Sequence, residues 1–257
     1  MSPAIRALLV DLEGTILQAG SLLPGARDAF ERFGRAGTPF ALVTNTTSRP
    51  RSRIASELAA LGLAVPSQRI FTAAAAARRL LLDRGIARCH FMTVPSLLED
   101  FEGLEPDDRS PQAVVVGDLG EGFTFDRLNR AFRLVLDGAE LVALARNRYY
   151  RGPDGLLLDV GAFVAALEYG SGRAATLTGK PAPSFFRAAL EIVGAAPGET
   201  AVVGDDLEFD VHGAQAAGLA GILVRTGKYR PEFERTGRPP DAIADSIAGL
   251  PRLLGLS

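Results

Sequence analysis

Short aliphatic runs that stop abruptly in polar turns, each followed by a stretch of helical periodicity, recur along this chain. The run Ala4–Val10 ends in Asp11-Leu12-Glu13-Gly14-Thr15. So brief an apolar segment, bounded by a polar turn, reads as a buried strand. Pro24-Gly25 then opens a helical stretch over 26–36, with Ala26, Ala29, Phe30 and Phe33 on one face and Gly37 to end it. A second aliphatic run, Pro39–Val43, stops in Thr44-Asn45-Thr46-Thr47-Ser48. Pro50 and the arginines at 49, 51 and 53 lead into a helix over Ser52–Leu61, and the arginines read as its solvated start. Strand, helix, strand, helix predicts a parallel sheet covered by helices.

The C-terminal part keeps this rhythm. Strands are expected at Ala174–Thr178, Thr200–Val203 and Ala220–Val224, with helices at Pro183–Val193 and Asp210–Ala217. A last helix over Ser246–Leu254 is expected to kink near Pro251. The middle alternates independently. Strands are read at His90–Thr93, Ala113–Val116 and Leu141–Ala145, and helices at Ala73–Arg84, Phe125–Leu136 and Ala162–Tyr169. The acidic, breaker-rich Glu99–Pro111 reads as a surface loop. The fold class is therefore α/β; the middle reads as a second α/β unit over 73–173 inserted between core segments 1–72 and 174–257, although one long sheet would give a similar alternation.

Composition narrows the function classes. With 47% hydrophobic and 23% charged residues, the 257-residue chain has enough apolar material for a full core. Its 28 basic and 30 acidic residues leave a net charge of −2, which argues against a nucleic-acid partner. Cys89 is the single cysteine, so no intramolecular disulfide forms and a cytoplasmic setting is expected. No apolar run approaches the roughly 18 residues that span a bilayer, so no membrane partner is expected. The first residues also lack the basic-then-apolar pattern of a signal peptide.

Four polar clusters follow expected strands: Asp11–Thr15, Thr44–Ser48, Gly179-Lys180-Pro181, and Gly204-Asp205-Asp206 with Asp210. Strands of a parallel sheet share one carboxyl edge, which is where such folds bind ligands, so the clusters are expected to converge. Asp11 and Asp205, with Asp206 or Asp210, are the donor type for a hard cation such as Mg2+. Lys180 supplies a positive charge and Thr44 a hydroxyl. Backbone N–H groups at Leu12–Gly14 and Asn45–Thr46 suit an anion. Phosphate would be repelled by the carboxylates unless Mg2+ and Lys180 reversed the sign. Asp11 is then placed to attack phosphorus, since aspartate forms acyl-phosphates.

Asp-Leu-Glu-Gly-Thr, Val-Thr-Asn, Gly-Lys-Pro and Gly-Asp-Asp-Leu-Glu-Phe-Asp resemble, in that order, the four motifs of the haloacid dehalogenase superfamily. The segment Gly204–Tyr229 and the stretch 148–180, beginning Arg-Tyr-Tyr-Arg-Gly-Pro-Asp-Gly, are similar to its class IIA branch. The resemblance covers essentially the whole chain. It implies a Rossmann-like, doubly wound core with an α/β cap of the C2 type between the second and third motifs, and Mg2+-dependent hydrolysis of a small phosphorylated substrate. Asp11 matches the nucleophile and Asp205 the metal-binding carboxylate. Residue 13 matches the position whose backbone carbonyl also binds the metal. Thr44 and Asn45, with Thr46 adjacent, match the phosphate-holding residues. Lys180 matches the lysine that bridges nucleophile and phosphate, and Asp210 a supporting acid. Asp206 is divided between a supporting contact and solvent. Class IIA relatives often pair through the cap, so a homodimer is expected on resemblance.

One position departs from the pattern. Most phosphatases of the superfamily carry aspartate two residues after the nucleophile as the general acid, and this chain carries Glu13. Two readings follow: a working phosphatase, and a catalytically weak or silent phosphate- or partner-binding protein. A phosphonate-cleaving enzyme would need a Schiff-base lysine in the inserted unit, which contains none. Dinucleotide binding lacks a Gly-x-Gly-x-x-Gly turn, and Gly179-Lys180 lacks the spacing of a P-loop. His90 and His212 have no partners at zinc-ligand spacing, and His212 is a candidate for the rim of the site.

Overall fold

The computed structural model describes residues 5–152, 155–235 and 237–256. Ala4 of the first expected strand and Pro153-Asp154 of the class IIA-like stretch lie outside the described residues. Close contacts divide the chain into two compact units. One comprises Met1–Thr44, Arg51–Phe71 and Lys180–Ser257, the other Asn45–Pro50 and Thr72–Gly179.

The first unit is built on a six-stranded sheet. Its spatial order is Ala242–Ala244, Ala220–Val224, Thr200–Gly204, Ala7–Asp11, Phe40–Thr44, Ile70–Thr72. In chain order that is sixth, fifth, fourth, first, second, third, the doubly wound arrangement of Rossmann-like folds. Leu9 lies opposite Val202 on one side and Ala41 on the other, both in parallel pairings. The central strands are buried along their whole length, as expected for a sheet covered on both faces. The winding reverses between Ala7–Asp11 and Thr200–Gly204. A crevice at that reversal, outside the carboxyl ends of the strands, is where such sheets take ligands.

Two helices show how local chemistry fixes this layer. Ala26–Arg35 starts after Gly25, whose φ of 76° suits a residue without Cβ. It buries Ala26, Ala29, Phe30 and Phe33, the apolar face read from the sequence. Phe30 meets Phe33 and Phe40 edge-on, with ring centroids 5.4 and 4.8 Å apart. Pro183–Val193 opens with proline in its first turn, buries Phe185 and Phe186, and ends at left-handed Gly194.

The second unit has a five-stranded parallel sheet in the order Thr176–Leu177, Glu140–Ala143, Ala113–Val116, Arg88–Met92, Glu105–Pro106. Helices Ala73–Asp83, Phe125–Leu136 and Val160–Ser171 cover it. Asp159 caps the last of these, accepting from the Val160 N–H at 2.7 Å.

Several expectations need correction. The strand expected at Ala174–Thr178 is only Thr176–Leu177, and it joins the five-stranded sheet. Glu99–Pro111 is not a plain loop. A 3-10 helix, Pro95–Phe101, buries Leu97 and Phe101, and Glu105–Pro106 pairs with Arg88–Met92. Pro251 does not kink a long helix: a 3-10 turn, Ile247–Gly249, precedes a four-residue helix with Pro251 in its first turn, where no N–H is needed. Edge strands Ile70–Thr72 and Ala242–Ala244 and the hairpin Tyr149–Gly152/Gly155–Leu158 were not anticipated. Each is three or four residues long, too short for periodicity to register. Among the described residues no helix is long and apolar enough to cross a membrane.

Phe186 is fully buried, meets Phe185 edge-on, and lies against Gly213 where a side chain would clash. Phe186→Ala is expected to lower unfolding free energy by about 3–5 kcal/mol, read as a reduced urea midpoint at unchanged m-value.

Candidate active site

Asp11 is the last residue of its strand, and Val43 is its register partner, which leaves Thr44 one residue further along the same edge. Thr200–Gly204 lies on the other side, and Asp205 follows it. A π-helical turn, Leu207–His212, continues the chain and carries Asp210. Its N-cap is Asp206, whose Oδ1 accepts from the N–H groups of Glu208 and Phe209, both at 3.1 Å. The helix expected from Asp210 thus starts three residues earlier. Asp206, not Asp210, is its cap.

Asp11, Asp205 and Asp210 are all buried, and one carboxylate oxygen of each lies within 4.8 Å of the others. The Lys180 ammonium donates to Asp11 Oδ1 at 2.5 Å and to Asp210 Oδ1 at 2.6 Å. Thr15 Oγ1 donates to Asp11 Oδ2 at 3.3 Å, and the Asp206 N–H to Asp210 Oδ2 at 3.2 Å. Close approach depends on glycine. A Cβ on Gly14 or Gly227 would collide with the Asp205 carboxylate, and one on Gly204 with Asp210. Lys180 reaches this cluster from the turn that precedes Pro183–Val193. The strand before it belongs to the smaller sheet, so its cluster does not arrive by the shared edge that the other three use.

The structure brings Asp11, Asp205, Asp210 and Lys180 together and sets buried Thr44 at the end of the neighbouring strand. The Glu13 side chain is exposed. Asn45 and Thr46 continue directly from Thr44 but count with the second unit. There Asn45 Oδ1 occupies the place of a Gly179 side chain, and Thr46 Oγ1 lies 3.2 Å from Ser48 Oγ. His212 is not part of the cluster: its Nε2–H donates to the Arg238 carbonyl at 2.9 Å. His90 lies in the second unit, with Nδ1 2.7 Å from Asp108 Oδ1. Burial pushes the Cys89 thiol up to about 11, which makes it a core residue and not a nucleophile.

Lys228 was missed, and a compositional signal points to it. The chain has only two lysines among 28 basic residues, and both stand at the carboxylates. The Lys228 backbone N–H donates to Asp205 Oδ2 at 2.6 Å, and its ammonium lies 3.3 Å from Asp206 Oδ2.

Charge is unbalanced here. Two carboxylates at this separation repel by about 3–4 kcal/mol at an effective dielectric of 20. Burial pushes Asp205 up to about 7, with the Asp11 charge adding to it. Burial likewise pushes Asp210 up to about 8; Lys180 pulls against this, and the charges of Asp11 and Asp205 add to it. Burial by itself would lower Lys180, but Asp11 and Asp210 outweigh it and hold the ammonium above its usual range. Three buried oxygen donors with a surplus of negative charge suit a hard divalent cation.

Two family models match the chain: a haloacid dehalogenase-like hydrolase model over residues 8–105 and a HAD-hydrolase-like model over 177–250. The human haloacid dehalogenase-like hydrolase domain-containing protein 2 is 43% identical over 237 residues, which are 92% of this chain and 90% of that protein. The chain belongs to the haloacid dehalogenase-like hydrolase family. It is a hydrolase of class IIA within that family. Phospholysine phosphohistidine inorganic pyrophosphate phosphatase from Xenopus laevis is 39% identical, with 94% of this chain and 90% of the relative covered. Among solved structures, 4-nitrophenylphosphatase from Thermotoga maritima superposes with a TM-score of 0.91 at 30% identity, covering 97% of each chain. NagD from E. coli K-12 gives 0.88 at 28% identity, covering 95% of this chain and 98% of that one.

The carboxyl shifts carry a sign. Asp205 and Asp210 are raised above their unfolded values, so they stabilise the fold when protonated, and that contribution is lost as pH rises through about 7 and 8. In chelator-treated protein the unfolding free energy is therefore expected to fall between pH 5.5 and 8, by up to about 1.4 kcal/mol per pH unit for each group, and the thermal midpoint to fall with it. Scanning calorimetry across that range checks it.

Proposed function

We propose that this hydrolase is a Mg2+-dependent phosphatase that works through an aspartyl-phosphate on a small phosphorylated metabolite. One observation carries the reading: the buried triangle of Asp11, Asp205 and Asp210 with the Lys180 ammonium across Asp11 and Asp210. The phosphatase names of the Xenopus and Thermotoga relatives support it. Asp11 and Asp205, with the backbone carbonyl of Glu13, are assigned to the metal. Asp206 and Asp210 hold the surrounding frame. When bound, Mg2+ neutralises charge on the phosphoryl oxygens.

The remaining steps belong to the chain. Lys180 holds a phosphoryl oxygen beside Asp11, and Thr44, Asn45 and Thr46 bind the others. An Asp11 carboxylate oxygen attacks phosphorus in line, and the bond to the leaving-group oxygen breaks. That oxygen departs with the electron pair and takes a proton from Glu13. Water then attacks the phosphorus, Glu13 accepts its proton, and orthophosphate leaves with Asp11 restored. Positioning and fixed charge supply most of the acceleration, because the group transferred needs little covalent help. General acid catalysis by Glu13 contributes about 10²–10⁴-fold.

In this reading residues 1–72 and 174–257 form the catalytic core, and 73–173 the cap. A cytoplasmic location fits the lone buried Cys89. Pairing of two copies is supported by exposed Tyr149, Tyr150, Leu156, Leu157 and Leu158 on one hairpin of the second unit.

Hydrolysis of p-nitrophenyl phosphate is expected to require Mg2+ and to fall at least about a thousand-fold in Asp11→Asn. Glu13→Asp is expected to keep or raise turnover. Mg2+ binding without turnover across a panel that includes pyrophosphate and phosphoamino acids would identify a silent binding protein instead.

A further inference from the structure

The strand Ala220–Val224 ends in a turn, Thr226-Gly227-Lys228, that touches two loops of the site at once. Thr226 Oγ1 donates to the Gly14 carbonyl at 2.5 Å, in the loop that begins at Asp11. The Lys228 N–H donates to Asp205 Oδ2 at 2.6 Å. Between them, Gly227 at φ 58° packs against both the Gly14 Cα and the Asp205 carboxylate, with no room for a side chain.

The turn is anchored at both ends. Upstream, the Arg225 N–H donates to the Ala244 carbonyl at 3.0 Å, and its guanidinium to Glu234 Oε1 and Asp245 Oδ1, both at 2.7 Å. Downstream, the Tyr229 hydroxyl donates to the same Glu234 oxygen at 2.7 Å, and the Tyr229 N–H to the Thr226 carbonyl at 3.0 Å. Glu234 therefore closes the turn into a strap.

We infer that the strap Thr226–Lys228 is a positioning device that sets divalent-cation affinity by locking Asp205 against the loop of the nucleophile. This rests on the phosphatase reading and adds to it. The Lys228 N–H holds Asp205 Oδ2 and so fixes the orientation of the carboxylate that this reading assigns to the ion. Thr226 fixes the Gly14 end of the same frame, so the spacing of Asp11 and Asp205 is held by one short segment. Partners that orient a metal ligand without touching the ion typically govern affinity by about 10–100-fold. Thr226, Gly227 and Lys228 touch no reacting atom and act through Asp205 and Gly14.

The test is Mn2+ affinity, read by electron paramagnetic resonance of the free ion, for the wild-type chain, Thr226→Val and Thr226→Ser. Thr226→Val is isosteric and removes the donor. It is expected to weaken Mn2+ binding about ten-fold or more, to raise the Mg2+ concentration needed for half-maximal turnover in parallel, and to leave KM for p-nitrophenyl phosphate at saturating Mg2+ little changed. Thr226→Ser restores the donor and is expected to bind Mn2+ as the wild type does. Unchanged affinity in Thr226→Val, or a loss that serine does not rescue, overturns the inference while wild-type binding leaves the phosphatase reading standing. No Mn2+ binding by the wild-type chain overturns both. Should Thr226→Val not fold, Gly227→Ala carries the test, because its methyl group must displace Asp205; unchanged affinity there also overturns the inference.

Discussion

The ammonium of Lys180, buried between Asp11 and Asp210, is the contact on which the site depends. It joins three segments far apart in sequence: the first strand, the turn before Pro183–Val193, and the π-helical turn after Thr200–Gly204. A buried ion pair of this kind adds little net stability, since desolvating the charges offsets their attraction. Breaking it by removing one partner is costly, because the other charge stays buried. The cluster is therefore better understood as chemistry that the rest of the core must support than as a source of stability. The doubly wound sheet makes this tolerable by setting fully buried Leu8, Leu9, Val10, Val202 and Val203 directly behind the charged edge.

Much of this was legible from residue pattern alone. The strand at Ala7–Asp11 and the helices at Ala26–Arg35 and Pro183–Val193 were announced by apolar spacing with proline and glycine at their ends, so local chemistry and tertiary packing agree there. Asp11, Thr44 and Asp205 were legible because polar residues at or directly after the end of a buried strand of a parallel sheet fall on its ligand-binding edge. Lys180 is legible by its residue type, but the strand before it pairs in the smaller sheet and not in the larger one that its position along the chain suggests. A two-residue strand carries too little pattern to say which layer it joins.

What escaped the sequence pattern has a common cause. Lys228, Thr226 and Gly227 act through a backbone N–H, one hydroxyl and a missing side chain. None of these registers as hydrophobic periodicity or as a cluster of titratable groups. The capping role of Asp206 has the same origin: either Asp206 or Asp210 could cap a helix, and only the onset of the π-helical turn at Leu207 decides which one does. The family likeness and the residue-level chemistry support the same hydrolase reading from different observations. One rests on identity across nine-tenths of the chain, the other on carboxylates and an amine meeting in space.

Burying like charges has an evolutionary corollary. Replacing a buried ionic group with well-packed apolar side chains of similar volume is often neutral or stabilising in proteins. A laboratory lineage selected for heat resistance alone would thus be rewarded for discarding Asp11, Asp205, Asp210 and Lys180 together, and would drift toward a sturdier, inert scaffold. That the chain carries all four, including one of its two lysines, means that this edge is arranged for what the molecule does at some expense of how firmly it holds together.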